Sequence, residues 1–254
     1  MSATESKSSI QVIDRMMNLL DALADHPDPM NLKQLAHLTG LHPSSAHRIL
    51  NVMVEKHIVD RIEPGTYCLG IKLLALGDLV KSRINIRKIA LPFMQALNAE
   101  LGETVNLILR QGDEVVYVER TSTERSMMRV VQLVGARAPI HITAVGKIFL
   151  AEEGPHACEE YANRTGLPAY TNHTITDFER LCKAVQQAKK QGYAFDDEEA
   201  EKGVCCIGAG IYDADHHIIA GLSVSAPTDR LNKKWATRVK QAADEISRTM
   251  GCRY

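Results

Sequence analysis

Residues 31–69 have the sequence NLKQLAHLTGLHPSSAHRILNVMVEKHIVDRIEPGTYCL, and the pattern in this stretch decides the fold of the N-terminal part of the chain. Asn31 is a suitable cap for a helix that ends at Gly40, because glycine readily adopts a left-handed turn. A second amphipathic helix follows Pro43. Two short β-capable runs on either side of Pro64 and Gly65 then predict a hairpin.

The sizes and spacing of four residues in this stretch are typical of a helix-turn-helix. That motif needs a small residue in its first helix, a turn glycine four residues later, and small or apolar residues that hold the second helix in place. Ala36, Gly40, Ala46 and Ile49 supply those sizes at those positions. With an amphipathic helix over residues 10–24 before it and the hairpin after it, the pattern predicts a winged helix-turn-helix over residues 1–69.

The outer face of the second helix carries side chains that suit DNA recognition. Arginine pairs with guanine edges, asparagine pairs with adenine edges, and serine holds phosphates. The predicted DNA-binding residues are Ser44, Ser45, His47, Arg48, Asn51 and, in the hairpin, Arg61. Residues 1–84 carry nine basic and nine acidic side chains, so this region lacks the net positive charge that DNA-binding domains usually have. A three-helix interaction domain therefore remains an alternative. A dimer doubles the groove contacts and lessens this objection.

The composition is that of an ordinary soluble globular protein. The 254 residues include 30 Lys and Arg against 31 Asp and Glu, and 45% are hydrophobic. Every apolar run is far shorter than the roughly 20 residues that span a bilayer, and the polar N-terminus does not resemble a signal peptide. We therefore expect no membrane helix and a cytoplasmic protein. Six scattered cysteines without paired spacing indicate reduced thiols.

Beyond the hairpin, residues 70–82 predict one more helix, and the polar break after it places a domain boundary near residue 84. Helical and strand patterns then alternate. They predict helices over residues 86–101, 144–151, 178–191 and 235–250, and strands over residues 104–109, 114–120, 128–133, 193–195, 206–212 and 218–225. These patterns imply an α+β domain of about 170 residues. The predicted regions are residues 1–69, a helical segment over 70–84 and an α+β domain over 85–254.

Two later motifs resemble the IclR family of bacterial transcription regulators, and the resemblance covers essentially the whole chain. GARAPIHITAVGK at 135–147 is similar to the family's stretch in which a proline, apolar and histidine run leads into a helix. GYAFDDEE at 192–199, followed by GVCC at 203–206 and GLSVSAP at 221–227, is similar to its second hallmark. The resemblance implies that residues 1–69 are a DNA-binding winged helix-turn-helix, that residues 70–84 are a linker helix, and that residues 85–254 are a GAF-like effector-binding and oligomerisation domain. It also implies a homodimer or dimer of dimers on pseudo-palindromic operator DNA.

One stretch departs from the family pattern. Where many relatives have alanines and an apolar-proline pair, this chain has Gly208 and Gly210. We expect these glycines to enlarge or loosen the strand, with an effect on the shape of the pocket.

The predicted effector site lies at the start of the helix over residues 144–151. Approachable backbone amides at a helix N-terminus attract an anion such as a small carboxylate. Small residues there are equally what close packing requires, and this alternative stays open. Asp196 follows an apolar residue and can turn inward, where it would suit a ligand hydroxyl or amine and repel an acid unless protonated. The predicted effector-binding residues, which align by resemblance with the family's ligand-lining positions, are Met127, Val130, Ala138, Ala144, Val145, Asp196, Val204, Cys206 and Ser223.

The sequence gives no pattern of catalysis. The acidic run at 196–199 is best explained as solvated loop charge, and neither Cys205 nor Cys206 has a visible base to activate it. Potential metal ligands lack the required spacing; they are His141, Asp196, Cys205, Cys206, His216 and His217. We therefore predict no enzymatic activity, no cofactor and no metal.

The function predicted from the sequence is a ligand-responsive DNA-binding transcription regulator. Its partners are operator DNA and a small organic acid. The rival is a small-molecule sensor or enzyme whose N-terminal helices only dimerise. The sequence does not identify the effector or the operator. It also does not show whether the protein represses or activates transcription, or whether it forms a dimer or a tetramer.

Overall fold

A computed structural model of the chain describes residues 11–62, 65–81, 85–122 and 134–253. Contacts divide the chain into two units, Met1–Ile84 and Asn85–Tyr254, which are described separately. In the ranges described, no helix combines the length and apolar character needed to cross a membrane. The strand predicted over residues 128–133 and the predicted effector residues Met127 and Val130 lie outside these ranges.

The N-terminal unit is a three-stranded antiparallel sheet with helices packed against it. Its elements are α1 (Gln11–Ala24), β1 (Met30–Asn31), α2 (Leu32–Thr39), α3 (Pro43–Glu55), β2 (Val59–Ile62), β3 (Thr66–Leu69) and α4 (Lys72–Lys81). The strand order is β1-β3-β2, so β1 extends the predicted hairpin by a strand that the sequence pattern did not indicate. This arrangement confirms the predicted winged helix-turn-helix.

Local sequence explains how the two helices of the motif are set. The Asn31 side chain and the Gln34 side chain each accept from the other's backbone N–H, a reciprocal cap at the start of α2. Gly40 adopts a φ of 66° at the end of α2, which glycine does without strain. Ala46 and Leu50 of α3 are fully buried against this unit's core. The opposite side of α3 therefore faces outward.

The C-terminal unit is built on a six-stranded antiparallel sheet in the order β6-β5-β4-β9-β8-β7. Its strands are β4 (Thr104–Gln111), β5 (Glu114–Thr121), β6 (Arg137–Pro139), β7 (Tyr193–Asp197), β8 (Val204–Tyr212) and β9 (Ile218–Pro227). Its helices are α5 (Ile86–Leu101), α6 (Ala144–Glu153), α7 (Pro155–Thr165), α8 (Phe178–Gln191) and α9 (Trp235–Thr249). The sequence pattern predicted all of these except β6 and α7, and the predicted α+β class is confirmed.

Helices cover both faces of this sheet. On one face, α5 and α9 pack against apolar residues such as Leu107, Leu222 and Val224. On the other face, α6, α7 and α8 pack against residues such as Ile108 and Tyr117. We call this second side the α6 face. Alternating residues of one strand point to opposite faces, so each strand contributes to both cores.

The glycines of β8 and β9 let α6 approach the sheet closely. A Cβ at Gly208 would lie 2.8 Å from the backbone nitrogen of Val145, and a Cβ at Gly221 would overlap a methyl group of Val145. A Cβ at Gly210 would lie 2.8 Å from the Tyr212 hydroxyl oxygen. The expectation that Gly208 and Gly210 enlarge or loosen the strand is therefore wrong, because neighbouring side chains fill the space that they leave.

This packing gives a stability prediction. We expect Gly221→Ala to destabilise the C-terminal unit by about 2 kcal/mol or more, since the added methyl group overlaps the buried Val145. Gly210 is the cross-strand partner of Gly221, and Gly210→Ala should cost less because the end of the Tyr212 side chain can swing outward. Urea unfolding followed by the fluorescence of Trp235, the one tryptophan, measures both.

A double variant provides the control. Val145→Ala removes the methyl groups that the new Cβ would overlap, so Gly221→Ala should cost less in that background than in the wild-type chain. Equal costs in both backgrounds would contradict the proposed contact.

Candidate functional site

The start of α3 is fixed by His42 and Pro43. The His42 ring caps the helix, because its Nδ1 atom accepts from the backbone N–H of Ser44 at 3.4 Å. The same nitrogen lies 2.8 Å from the Ser44 hydroxyl oxygen. The sequence pattern did not indicate this role of His42, which ties down one of the predicted DNA-binding side chains.

The other predicted residues of α3 share its outer side to different degrees. His47 and Arg48 are exposed, whereas Ser45 and Asn51 are half-buried. Asn51 Nδ2 lies 3.5 Å from His47 Nδ1, so these two side chains form a pair one helical turn apart. The helix therefore brings Ser44, His47, Arg48 and Asn51 to one face, as their spacing requires.

Two further features suit this surface to an anionic partner. The chain has no acidic residue between Asp28 and Glu55, so the region around α2 and α3 carries positive charge within a unit of balanced charge. Arg61 on β2 is exposed, and its guanidinium lies 5.9 Å from the centre of the Tyr67 ring. This cation–π contact orients the Arg61 side chain against the Tyr67 ring of β3.

In the C-terminal unit, one end of the α6 face is polar where a sheet core is normally apolar. Asn106 on β4 pairs with Ser223 on β9, Ser225 pairs with Cys206 on β8, and Cys206 pairs with Asp196 on β7. All five residues are at most 6% exposed. We call these residues, Asn106, Ser223, Ser225, Cys206 and Asp196, the polar row.

Hydrogen bonds join the members of the polar row. Asn106 Nδ2 donates to the hydroxyl oxygens of Ser223 and Ser225, at 3.3 and 3.1 Å. The Ser225 hydroxyl lies 3.2 Å from the Cys206 sulfur. Burial of so many polar groups on one sheet face costs free energy that apolar residues would avoid. Such a row therefore indicates a binding site better than a packing role.

Asp196 turns inward, and burial changes the acidity of its carboxyl group. Its Oδ1 atom accepts backbone N–H groups from Glu199 at 2.7 Å and Ala200 at 3.4 Å. Burial raises the pKa of Asp196 from 3.8 to about 7, and this outweighs the lowering effect of Lys147. Asp196 can therefore gain or lose a proton near pH 7.

Lys147 on α6 is buried near Asp196, and its positive charge is balanced by an acidic side chain. Its Nζ atom donates to the backbone oxygen of Phe195 at 2.7 Å and forms an ion pair with Glu199. Glu199 is itself 6% exposed, whereas Asp197 is exposed and pairs with Lys233. The interpretation of the acidic run as solvated loop charge is thus wrong for Glu199, whereas Asp196 is buried in agreement with the expectation that it turns inward.

The predicted N-terminal anion site of α6 is partly occupied by the protein. The Thr143 hydroxyl accepts from the Gly146 amide at 3.0 Å, so that amide is not available to an effector. A Cβ at Gly146 would overlap the backbone oxygen of Ile140, so close packing explains this glycine. Ala144, Val204 and Cys206 form a small buried cluster next to the polar row, and Ala138 is half-buried on β6.

Cys205, Cys206 and His141 are buried, and their surroundings give them a structural role. Burial raises the pKa of the Cys205 and Cys206 thiols, so neither is an activated nucleophile. The buried His141 ring lies 2.8 Å from the Tyr161 hydroxyl and 3.0 Å from the Pro168 oxygen.

Asp213, Asp215 and His217 bring potential ligand atoms within 4.8 Å of one another in the β8–β9 turn. The Asp213 carboxylate accepts the backbone N–H groups of Asp215 and His217, which explains its position in that turn.

Family models match both units of this chain. The model described as "IclR helix-turn-helix domain" matches residues 12–62, and "Bacterial transcriptional regulator IclR C-terminal" matches residues 79–249. The chain belongs to the IclR family. The family consists of DNA-binding transcriptional regulators, so this IclR protein is a regulator of that type and not an enzyme.

Individual relatives agree with this assignment. The HTH-type transcriptional regulator KipR of Bacillus subtilis is 32% identical over 245 residues, which cover 95% of this chain and 97% of KipR. The crystal structure of the Agobacterium tumefaciens repressor BlcR has a TM-score of 0.85 at 25% identity and covers 98% of this chain and 100% of that one. An IclR homologue from Microbacterium hydrocarbonoxydans, complexed with 4-hydroxybenzoate, has a TM-score of 0.61 at 25% identity and covers 94% of this chain and 98% of its own.

Four residues of the polar row and its surroundings were not predicted as site residues from the sequence: Asn106, Lys147, Glu199 and Ser225. A signal for Ser225 was present, because Ser223 and Ser225 are two apart in an otherwise apolar strand and must share a face. Asn106 breaks the apolar pattern of β4 in the same way. Lys147 and Glu199 gave no such signal, since their burial depends on a contact between α6 and a distant loop.

Proposed function

We propose that this IclR-family regulator binds a small organic carboxylate at the polar row and that binding changes its affinity for operator DNA. The observation that supports the proposal most strongly is the buried polar row itself, on a sheet face that packing alone would make apolar. A homologue in complex with 4-hydroxybenzoate, a small organic acid, supports the same class of effector.

We propose a separate function for each of the two units. Residues 1–69 contact DNA through Ser44, Ser45, His47, Arg48 and Asn51 of α3 and Arg61 of the wing. Residues 70–84 act as the linker helix, and residues 85–254 bind the effector and oligomerise. Beyond the polar row, we propose Met127, Val130, Ala138, Ala144, Val145 and Val204 as the apolar lining of the effector site.

The proposed mechanism is a population shift in a homodimer or a dimer of dimers. The effector favours one arrangement of the dimer, the linker helix transmits the difference, and the spacing of the two recognition helices changes. Exposed apolar side chains support self-association of the N-terminal unit: Val12, Ile13 and Met17 on α1, and Leu74, Leu76 and Leu79 on α4. Clusters of exposed apolar side chains often mark protein–protein contact surfaces. Binding to operator DNA implies that the protein acts in the bacterial cytoplasm.

The test is binding of the full chain to its own upstream DNA, measured by fluorescence anisotropy across a salt series. We expect specific, salt-dependent binding that at least one small organic acid alters. Binding no tighter than to a scrambled duplex at low salt, with and without acids, would contradict the proposal.

A further inference from the structure

One buried acceptor atom of the polar row has no donor. Asn106 is 0% exposed and uses its Nδ2 group for Ser223 and Ser225. Its Oδ1 atom is buried without a hydrogen-bond partner in the described part of the chain. A buried carbonyl oxygen has lost its hydrogen bonds to water, and native proteins rarely leave such an atom unpaired.

The neighbours of Asn106 on the sheet do not provide that donor. On one side, both serine hydroxyls face the Nδ2 group of the amide. On the other side, the cross-strand partner of Asn106 is Arg120. Its Nη2 atom donates to the Thr104 hydroxyl at 3.5 Å, and its buried Nε atom makes no hydrogen bond with Asn106 Oδ1. The hydrogen bonds of the Asn106 Nδ2 group thus fix the orientation of the side-chain amide, and its Oδ1 atom remains able to accept a hydrogen bond.

We propose that Asn106 is a specificity-determining residue that accepts a hydrogen bond from a hydroxyl group of the effector. The inference rests on the proposed function, because it takes the polar row as the effector site. It narrows the effector class from organic acids to hydroxylated carboxylic acids.

The surrounding charges favour a hydroxyl over an ammonium as the donor. Asn106 is neutral and offers no charge to balance a buried cation, and the Arg120 guanidinium lies across from it on β5. A second positive charge beside Arg120 would be repelled, whereas the carboxylate of a hydroxylated acid would be attracted. An acid that lacks the hydroxyl leaves Oδ1 unpaired, and sites built for a hydroxyl discriminate strongly against such analogues.

The test uses matched pairs of acids with and without a hydroxyl group: 4-hydroxybenzoate and benzoate, 3-hydroxybutyrate and butyrate, and lactate and propionate. Their affinities for the full chain are measured by isothermal titration calorimetry. For at least one pair we expect the hydroxylated acid to bind at least about tenfold tighter. This measurement needs no variant, so a folding defect cannot obscure it.

Asn106→Leu, nearly the same size but without the acceptor, should reduce the affinity ratio of that pair to about one, mainly by weakening the hydroxylated acid. Asn106→Ala should give the same ratio. Asn98→Ala is the matched control, since Asn98 lies on α5 and bonds the Glu103 backbone oxygen at 2.6 Å, and it should leave the ratio unchanged.

The outcomes separate this inference from the proposed function. Acids that bind with no preference for the hydroxylated member would overturn the role of Asn106 and leave the proposed carboxylate effector standing. A preference that survives Asn106→Leu would place hydroxyl recognition elsewhere and also overturn the inference. Binding of none of the six acids would contradict the proposed effector class, and the inference would fall with it.

Discussion

Arg48→Ala is expected to weaken specific operator binding by at least about tenfold, because a single arginine contact with a guanine edge is worth ~1–3 kcal/mol and the proposed dimer would make two such contacts. The Arg48 side chain is exposed on the outer side of α3 and makes no hydrogen bond or ion pair with the described residues, so its removal should not disturb the fold. Effector binding in the other unit should remain unchanged. Fluorescence anisotropy with operator and scrambled duplexes measures the first effect, and calorimetry with an acid measures the second.

Lys56→Ala is the matched control for Arg48→Ala. Lys56 follows the same helix at its C-terminal end, about 12 Å further along the axis, and its replacement removes one positive charge as well. We expect it to change specific binding far less than Arg48→Ala does. Equal losses from both variants would mean that Arg48 contributes only general charge. Loss of effector binding in Arg48→Ala would contradict the separation of the two sites.

The fold was largely predictable because its signals are local. Asn31, Gly40 and the small residues at 36 and 46 define the helix-turn-helix within a short stretch, and strand and helix periods identify most later elements. The strand β1 is two residues long and forms only by pairing with β3, so no local period could indicate it. Helix α7 was missed for another reason, since its residues have a weakly apolar composition and only a few of them are buried.

The candidate site was less predictable because its chemistry depends on register between distant strands. Asp196 and Ser223 were predicted, but their connection through Cys206, Ser225 and Asn106 requires knowledge that β4 and β8 flank β9. The error at Gly208 has a similar origin. A glycine in a strand indicates either open space or a close approach, and only the position of Val145 shows that a close approach applies.

Asp196→Asn is expected to abolish the pH dependence of effector binding. An ionised Asp196 repels a carboxylate effector, and burial raises its pKa to about 7, so the wild-type affinity should fall by up to about tenfold per pH unit above pH 7. Below about pH 6 the protonated Asp196 should leave the affinity nearly constant. Asparagine has an oxygen that can accept the same backbone N–H groups and carries no charge, so the variant should bind equally well across this range.

The charged and titratable groups around Asp196 support this assignment. Lys147 on α6 is paired with Glu199, and the Cys206 thiol on β8 has a pKa raised well above its usual range, so it stays protonated. Asp196 is therefore the member of the polar row that titrates near neutral pH. A pH dependence that persists in Asp196→Asn would assign it to another group and contradict the proposal.

The same substitution should stabilise the fold, with a sign that follows from linkage. The pKa of Asp196 is 3.8 when unperturbed and about 7 in the folded protein, so the folded state loses stability as the pH rises through this interval. Asp196→Asn removes that loss, worth on the order of 2–4 kcal/mol above pH 7 and little near pH 4. Urea unfolding followed by Trp235 fluorescence should therefore show a gain for Asp196→Asn that is larger at pH 8 than at pH 5. A gain that is equal at both pH values would contradict this prediction. It would show that ionisation of Asp196 does not lower the stability of the fold, because a packing difference between aspartate and asparagine does not depend on pH.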